Sequence, residues 1–402
     1  MAKNEFMQQS ISRDITTTRG QYDLQQPSAK NNGMCYYHNL KLQALDKMKV
    51  SQVTSNNKYI WIDYIRVVAT FSVVLLHSAA PLLYQHNEIP AAHWMTGNIY
   101  DSIVRMSVPL FLMISGCLLL EKIEPLKMFF IKRVNKVLIP LVAWSIIYIF
   151  WKKYYEGMGE ISYYSFYSLA LSPTYYHLWF LYVIIGIYLF LPILRVMVGN
   201  SYSGLIHYYL VVWFIAVAII PFLEQATGIK SRIDFLAISG YSGYLVLGFF
   251  LGKIEIIKTR ALYAALLFFT SIAITALGTY FLTLRNKGIF NDYFYGYLTP
   301  NVILTSAATF ILIKYSVGKV KFLSNEKLLL IINSLSSASL GIYLIHVIFI
   351  YLLKKGDLGF TISGFSGNPA ISIPATALIT FLLSYVFIII LRKIPFLKII
   401  SP

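Results

Sequence analysis

The sequence predicts an all-α integral membrane protein of about ten transmembrane helices with both termini in the cytoplasm. Three observations carry this. Of 402 residues, 57% are hydrophobic and only 13% charged, with a mean hydropathy of +0.64, whereas soluble domains are nearer half apolar and a quarter charged. From residue 60 onward, apolar runs of membrane-spanning length recur along the chain. The Lys and Arg residues cluster between those runs: 24 of 34 fall in segments on the expected inner side and 8 in outer loops. That threefold bias is the positive-inside pattern, and it sets the orientation.

Residues 1–58 are rich in Gln, Asn, Ser, Thr and Lys and are expected to form a disordered cytoplasmic arm. The arm holds no apolar core of signal-peptide length. Met48, which opens MKVSQVTSNNKY directly before the first span, is a candidate translation start. A transmembrane domain is expected over 59–392 and a short cytoplasmic tail over 393–402. The spans read 60–83, 99–120, 134–152, 177–196, 207–223, 236–252, 261–283, 297–315, 331–353 and 371–391. Aromatic residues crowd their ends (Tyr154, Tyr155, Tyr163, Tyr164, Tyr175, Tyr176, Trp179), as interfacial belts do. The net charge of +17 is spread over these topology signals, which argues against nucleic acid as a partner. Cys35 and Cys117 lie in unlike settings and suggest neither a disulfide framework nor a metal site.

The first span, IWIDYIRVVATFSVVLLHSAAPLL, carries Asp63, Arg66 and His77. Ionisable groups within hydrocarbon are costly and mark functional positions by default. Eleven residues at about 100° each bring His77 to within roughly 20° of the face of Arg66, about 16 Å further along the axis. One stripe therefore runs Asp63, Arg66, Thr70, Val73, His77 and Ala80, with Val67, Phe71, Val74 and Leu75 off it. Two readings stand. Either Arg66 snorkels, Asp63 pairs with it at i,i+3 and His77 serves a helix contact, or the stripe is a polar channel wall with an anion-binding cation at one depth and a proton acceptor at another.

Other candidates follow in chain order. Arg105 is a second intramembrane cation, free to pair with Asp101 at i−4; SVPLFLMISG after it reads as a helix kinked at Pro109 for close approach to a neighbour. Lys132, Arg133 and Lys136 form an inner-side cluster, either a topology signal or a phosphate site on the same side as Arg66. His177, Trp179 and Tyr182 enter the fourth span at the depth of His77; an aromatic belt accounts for them, and such a rim also suits sugar stacking. His346 lies mid-membrane in SSASLGIYLIHVIFIYLL, where a packed core histidine is the plainer reading. There is no GxSxG, phosphate loop, HExxH or Cys–His pairing, so any chemistry runs on histidine and arginine.

The pattern Ile62-Asp63-Tyr64-Ile65-Arg66, ten residues, His77 resembles the signature of the acyltransferase-3 family of membrane O-acyltransferases. SVPLFLMISG (107–116), RVNKVLIPLVAWS (133–145), HLWFLYVIIGIYLFLPI (177–193), GYLVLGFFLG (243–252) and SLGIYLIH (339–346) resemble the family's other segments in order. The resemblance covers about residues 59 to 392, and the first spans read most like the branch that O-acetylates enterobacterial common antigen. It implies a bacterial inner-membrane enzyme that takes an acetyl group from cytoplasmic acetyl-CoA and places it on a hydroxyl of an envelope glycan or lipid-linked oligosaccharide. No metal is implied. Arg66 would engage the CoA side with Arg133, Lys136 and Lys132, and His77 would carry the transfer. Asp63, Arg105, His177, Trp179, Tyr182 and His346 would line the acceptor side. The family's basic pair is typically two arginines three apart; here Lys136 replaces the second, so a bidentate contact becomes a point charge.

The residues agree with that chemistry. A neutral imidazole can take the proton of an attacking hydroxyl, and inner-side cations can hold CoA phosphates. Base and acyl-carrier roles for His77 both remain open. Succinyl transfer to an exopolysaccharide, a lipid-linked sugar transporter and a non-catalytic assembly partner are the other readings.

Overall fold

The computed structural model of the chain describes residues 59–157, 172–199, 203–228 and 240–401. The polar arm with Cys35 and Met48, and Tyr163 and Tyr164 of the aromatic belt, lie outside the described residues. Among those described, the regular elements are helices, and nine helical stretches are long and apolar enough to cross a membrane. We label the α-helices α1 Ile60–Leu83, α2 Ala91–Val104, α3 Ser107–Leu119, α4 Leu126–Arg133, α5 Ile139–Tyr154, α6 Trp179–Gly199 and α7 Ser203–Phe214. They continue with α8 Ile220–Thr227, α9 Ser242–Lys253, α10 Lys258–Arg285, α11 Pro300–Lys319, α12 Glu326–Lys355 and α13 Pro369–Leu391.

The expected span at 236–252 is the exception to the long helices. Its described part, α9, has 12 residues, about 18 Å of helix against a hydrocarbon core near 30 Å. Residues 229–239 before it lie outside the described residues. A lysine finishes this short helix: Nζ of Lys314 donates to the carbonyls of Leu251 (3.0 Å), Gly252 (2.7 Å) and Ile254 (2.8 Å). Those carbonyls have no helical partner of their own, and the ammonium supplies it.

Prolines explain the interruptions that a hydropathy reading passes over. Pro109 has no N–H for the carbonyl of Arg105, so the second span breaks at Arg105–Met106 into α2 and α3. Pro140 and Pro221 do the same to residues four before them. Each is preceded by a π-helical turn, Val134–Leu138 and Ile215–Ile219, that absorbs the missing bond. Elsewhere the ends are locally specified. Asn325 caps α12 by accepting from the amides of Lys327 (3.0 Å) and Leu328 (3.4 Å), and Gly356 closes it at φ 85°.

α1 is the hub. It packs against α2, α3, α11, α12 and α13, and 61% of its apolar window is buried, against 22% for the stretch Gly204–Thr227. The off-stripe residues Val74 and Leu75 are therefore as buried as the stripe residues Thr70 and Val73. Helices α3 and α9 make the closest contact. A Cβ on Gly116 would meet the Leu245 carbonyl oxygen at 1.9 Å, and one on Gly248 would meet that of Met113 at 2.2 Å. This is backbone-on-backbone packing of the small-residue kind. The segment after α13 is no loose tail. Nε of Arg392 donates to the Ser401 carbonyl (2.8 Å), its Nη2 to that of Ser337 (2.7 Å), and Trp144 Nε1 to that of Ile400 (2.9 Å).

Gly116→Val and Gly248→Val should each destabilise the protein by at least the roughly 1–3 kcal/mol of overpacking, because backbone cannot yield as a side chain can. Gly186, exposed on α6 with nothing within 4 Å of a built Cβ, is the control: Gly186→Ala should hold or raise the melting temperature. Thermal melting of the detergent-purified variants reads both.

Candidate active site

The inner end of the site is built on the first turns of α1. Arg66 Nη1 donates to Asp63 Oδ1 at 3.0 Å and to Ser336 Oγ at 2.6 Å, and Ser336 Oγ donates to the same Asp63 oxygen at 2.5 Å. The i,i+3 pair expected from sequence is present. It is closed into a triangle by a buried serine from α12, 270 residues away. Arg66 keeps about a quarter of its side chain exposed (27%), and that exposed part faces a cavity of about 240 Å³ lined by Arg133, Lys136, Ser339, Phe180 and Tyr343 among others.

Arg133, the last residue of α4, and Lys136, in the π-turn that follows it, both reach this cavity. The charges of Arg66, Arg133 and Arg392 all act on Lys136, so cations converge on a cavity with no carboxylate among its lining residues; Asp63, paired with Arg66, stands behind it. The Arg133 guanidinium lies over the rings of Phe129 (4.9 Å) and Tyr188 (5.4 Å). Its Nη2 is ion-paired with Glu124 at 3.6 Å, while its buried Nε has no hydrogen-bond partner, a donor that an anion would complete. Lys132 takes no part: its Nζ is hydrogen-bonded to Glu124 at 3.1 Å, and it does not line the cavity.

Glu124 sits in the loop before α4 and gathers Lys132, Arg195 (3.2 Å), Arg133 (3.6 Å) and Lys122 (3.7 Å). Beside it opens a second cavity of about 800 Å³, with Arg195, Lys122, Lys253 and His207 on its lining. Sequence reasoning assigned nothing to Glu124 or Arg195.

The other end of the site is a histidine cluster. His77, half-buried on α1, has its ring 5.1 Å from Tyr176 and 5.2 Å from His346. His177 stands 5.2 Å from His346, its ring edge-on to it. His177 and His346 are fully buried, and Tyr343 packs against both, with its hydroxyl donating to the His177 carbonyl. Tyr343 also lines the inner cavity, where it meets Phe180 at 5.8 Å. One aromatic wall thus separates the cation cavity from the histidines. Among the described residues no group of His, Cys, Asp or Glu is arranged to hold a metal ion.

Trp179 stacks on Tyr297 (5.5 Å, 27°) and meets Tyr241 at 6.0 Å. Arg105 is paired with Asp101, Nη2 to Oδ2 at 2.8 Å and Nε to Oδ1 at 2.7 Å, and its guanidinium covers the Tyr295 ring at 4.1 Å. It is close enough for its charge to act on His77. The local pair named from sequence is what the structure shows, and Arg105 presents a neutralised ion pair to the site. Tyr182 instead donates to the Ser172 carbonyl at 3.1 Å.

A bundle of membrane-length helices around a half-buried Asp–Arg–Ser triangle, a cation-lined cavity and a histidine cluster defines a polytopic membrane protein with an internal site. The model of the acyltransferase-3 family, described as an acyltransferase domain, matches residues 59–391, and the chain belongs to that family of membrane acyltransferases. Comparison with curated proteins and with solved structures gives no match.

Burial pushes the Glu124 carboxyl up, but the hydrogen bonds from Lys132 and Arg195 and the charge of Lys122 outweigh it and hold the group below its ordinary range. A carboxyl so depressed stabilises the fold above its unfolded pKa of about 4.3, and that contribution is lost as pH falls through the folded value. Glu124→Gln should therefore melt lower than the wild type at pH 7, with the difference shrinking towards zero on acidification below about pH 4.

Proposed function

We propose that the protein is a bacterial inner-membrane O-acetyltransferase that moves acetyl from cytoplasmic acetyl-CoA to a hydroxyl of an envelope glycan or lipid-linked oligosaccharide. A polymer akin to enterobacterial common antigen or O-antigen is the favoured acceptor. The observation that carries the reading is the placement of Arg66 and His77 at two depths of one buried helix, the first on a cation-lined cavity and the second in a histidine cluster. The cavity is smaller than the roughly 300–1,000 Å³ that drug-sized ligands fill, so it suits a slender arm better than a whole nucleotide. About 16 Å of helix separates the two residues, the order of length of an extended pantetheine arm.

In this reading Arg66, Arg133 and Lys136 hold phosphate on the inner side, with the π-turn after Arg133 aiming Lys136. The Nε–H of Arg133, which has no hydrogen-bond partner, is the natural donor. The thioester reaches past Phe180 and Tyr343 to His77. His77 removes the proton of the attacking hydroxyl as the oxygen meets the acyl carbon. Trp179, Tyr241 and Tyr297 give aromatic faces on which a sugar ring can rest. Membrane lipids surround the weakly buried α6, α7 and α10.

The test is release of free CoA by detergent-purified protein given acetyl-CoA, with and without envelope oligosaccharides. His77→Ala should lower kcat by roughly 10²–10⁴-fold, while Arg66→Ala should act chiefly on KM for the donor. Turnover of succinyl-CoA in place of acetyl-CoA would change the donor and leave the site assignment standing. No turnover with any acyl-CoA and acceptor, or wild-type rates from His77→Ala, would sink the reading and favour transport of a lipid-linked sugar.

A further inference from the structure

A base must be held in one tautomer to be useful, and carboxylates usually hold catalytic histidines so. Among the described residues no carboxylate is paired with His77. Asp101 is committed to Arg105 and Asp63 to Arg66. The ring against His77 is His346, with centroids 5.2 Å apart and planes at 31°. Nδ1 of His346 lies 2.7 Å from the carbonyl oxygen of Tyr343. A carbonyl only accepts, so Nδ1 carries the hydrogen and Nε2 of the neutral ring is a bare lone pair. That Nε2 is buried and has no hydrogen-bond partner, in a side chain that is 0% exposed.

The neighbours decide what can fill it. Three rings face His346: His77, His177 and Tyr343. Tyr343 already donates its hydroxyl to the His177 carbonyl. Nε2 of His177 lies 3.3 Å from the Leu344 carbonyl and so carries that ring's hydrogen, leaving its Nδ1 as a second bare acceptor. Only His77 retains a donor. No hydrogen bond joins the two rings in this structure; with their centroids 5.2 Å apart, a small rotation of the His77 ring is enough to bring its N–H onto that lone pair.

We propose that His346 is the positioning residue for His77: its buried Nε2 accepts the N–H of His77 and so leaves the opposite nitrogen of His77 bare towards the reactants. The inference deepens the acyl-transfer reading and rests on it. In the transfer step the bare nitrogen takes the hydroxyl proton as the acceptor oxygen bonds to the acyl carbon. The carbon–sulfur bond breaks, and the same proton passes to the departing sulfur, giving the glycan ester and CoA thiol. The other nitrogen keeps its hydrogen on His346 throughout, so a neutral imidazole does what a carboxylate does elsewhere.

Two substitutions separate this role from packing. His346→Phe keeps a flat ring and removes the acceptor, whereas His346→Gln keeps an acceptor oxygen. With acetyl-CoA and an acceptor that supports wild-type turnover, His346→Phe should lower kcat roughly 10- to 100-fold and leave KM for acetyl-CoA within about twofold. His346→Gln should recover a substantial part of the loss. Wild-type kcat in His346→Phe, or no recovery in His346→Gln of equal thermal stability, overturns the proposal while the inactivity of His77→Ala leaves the transferase reading intact. Histidine-selective ¹⁵N labelling reads the same geometry without turnover and without a His346 variant. His77, assigned through His77→Ala, should show one protonated and one bare nitrogen; a tautomer-averaged signal in the wild type overturns the proposal whatever the kinetics show.

Discussion

A guanidinium inside a helical bundle must have its counter-charge and its donors satisfied by protein, because hydrocarbon offers neither. For Arg66 the counter-charge comes from one turn earlier on the same helix and the remaining hydrogen bond from Ser336, across the bundle on α12. That cross-link sets the rest. It fixes α12 against α1 at the depth of Ser336, and the same helix then carries Tyr343 and His346 to the depth of His77. Both ends of the site thus depend on one interhelical registration.

The fold was largely legible in the chain because hydrocarbon imposes a length and a composition on each span. α1 falls on 60–83 as read, and the positions of the other long helices agree to within one to three turns. What escaped was set by single backbone groups. The break at Arg105–Met106 and the two π-turns come from prolines removing one N–H each, which barely alters a hydropathy average. The shortness of α9 depends on a lysine from α11 taking over its last carbonyls.

The site was legible where it lay on one helix and illegible where it did not. Asp63, Arg66 and His77 announce themselves because periodicity relates them, and Lys136 and Arg133 because they cluster in sequence. The meeting of His77, His177 and His346 joins α1, the turn before α6, and α12. No local pattern encodes that; only the rarity of a histidine at membrane depth could have raised the suspicion. Lys132 shows the reverse error, since sequence proximity to Arg133 placed it in a cluster whose geometry sends it to Glu124. The basic pair makes sense only with the π-turn in view, because the widened turn decides which way two residues three apart will point.

The packing of α1 against five neighbouring helices has a consequence for how such a chain can change. The ten residues between Arg66 and His77 are free to vary in kind, within the limits of packing, but not in number. Adding or removing one turns everything beyond it by about 100° and carries His77 off the face that His346 meets. The helix acts as a ruler with both marks cut into one piece. In the proposed transfer reading, a lineage keeping this architecture can retune its acceptor through the loops and outer aromatics, but the distance its donor must reach is inherited whole.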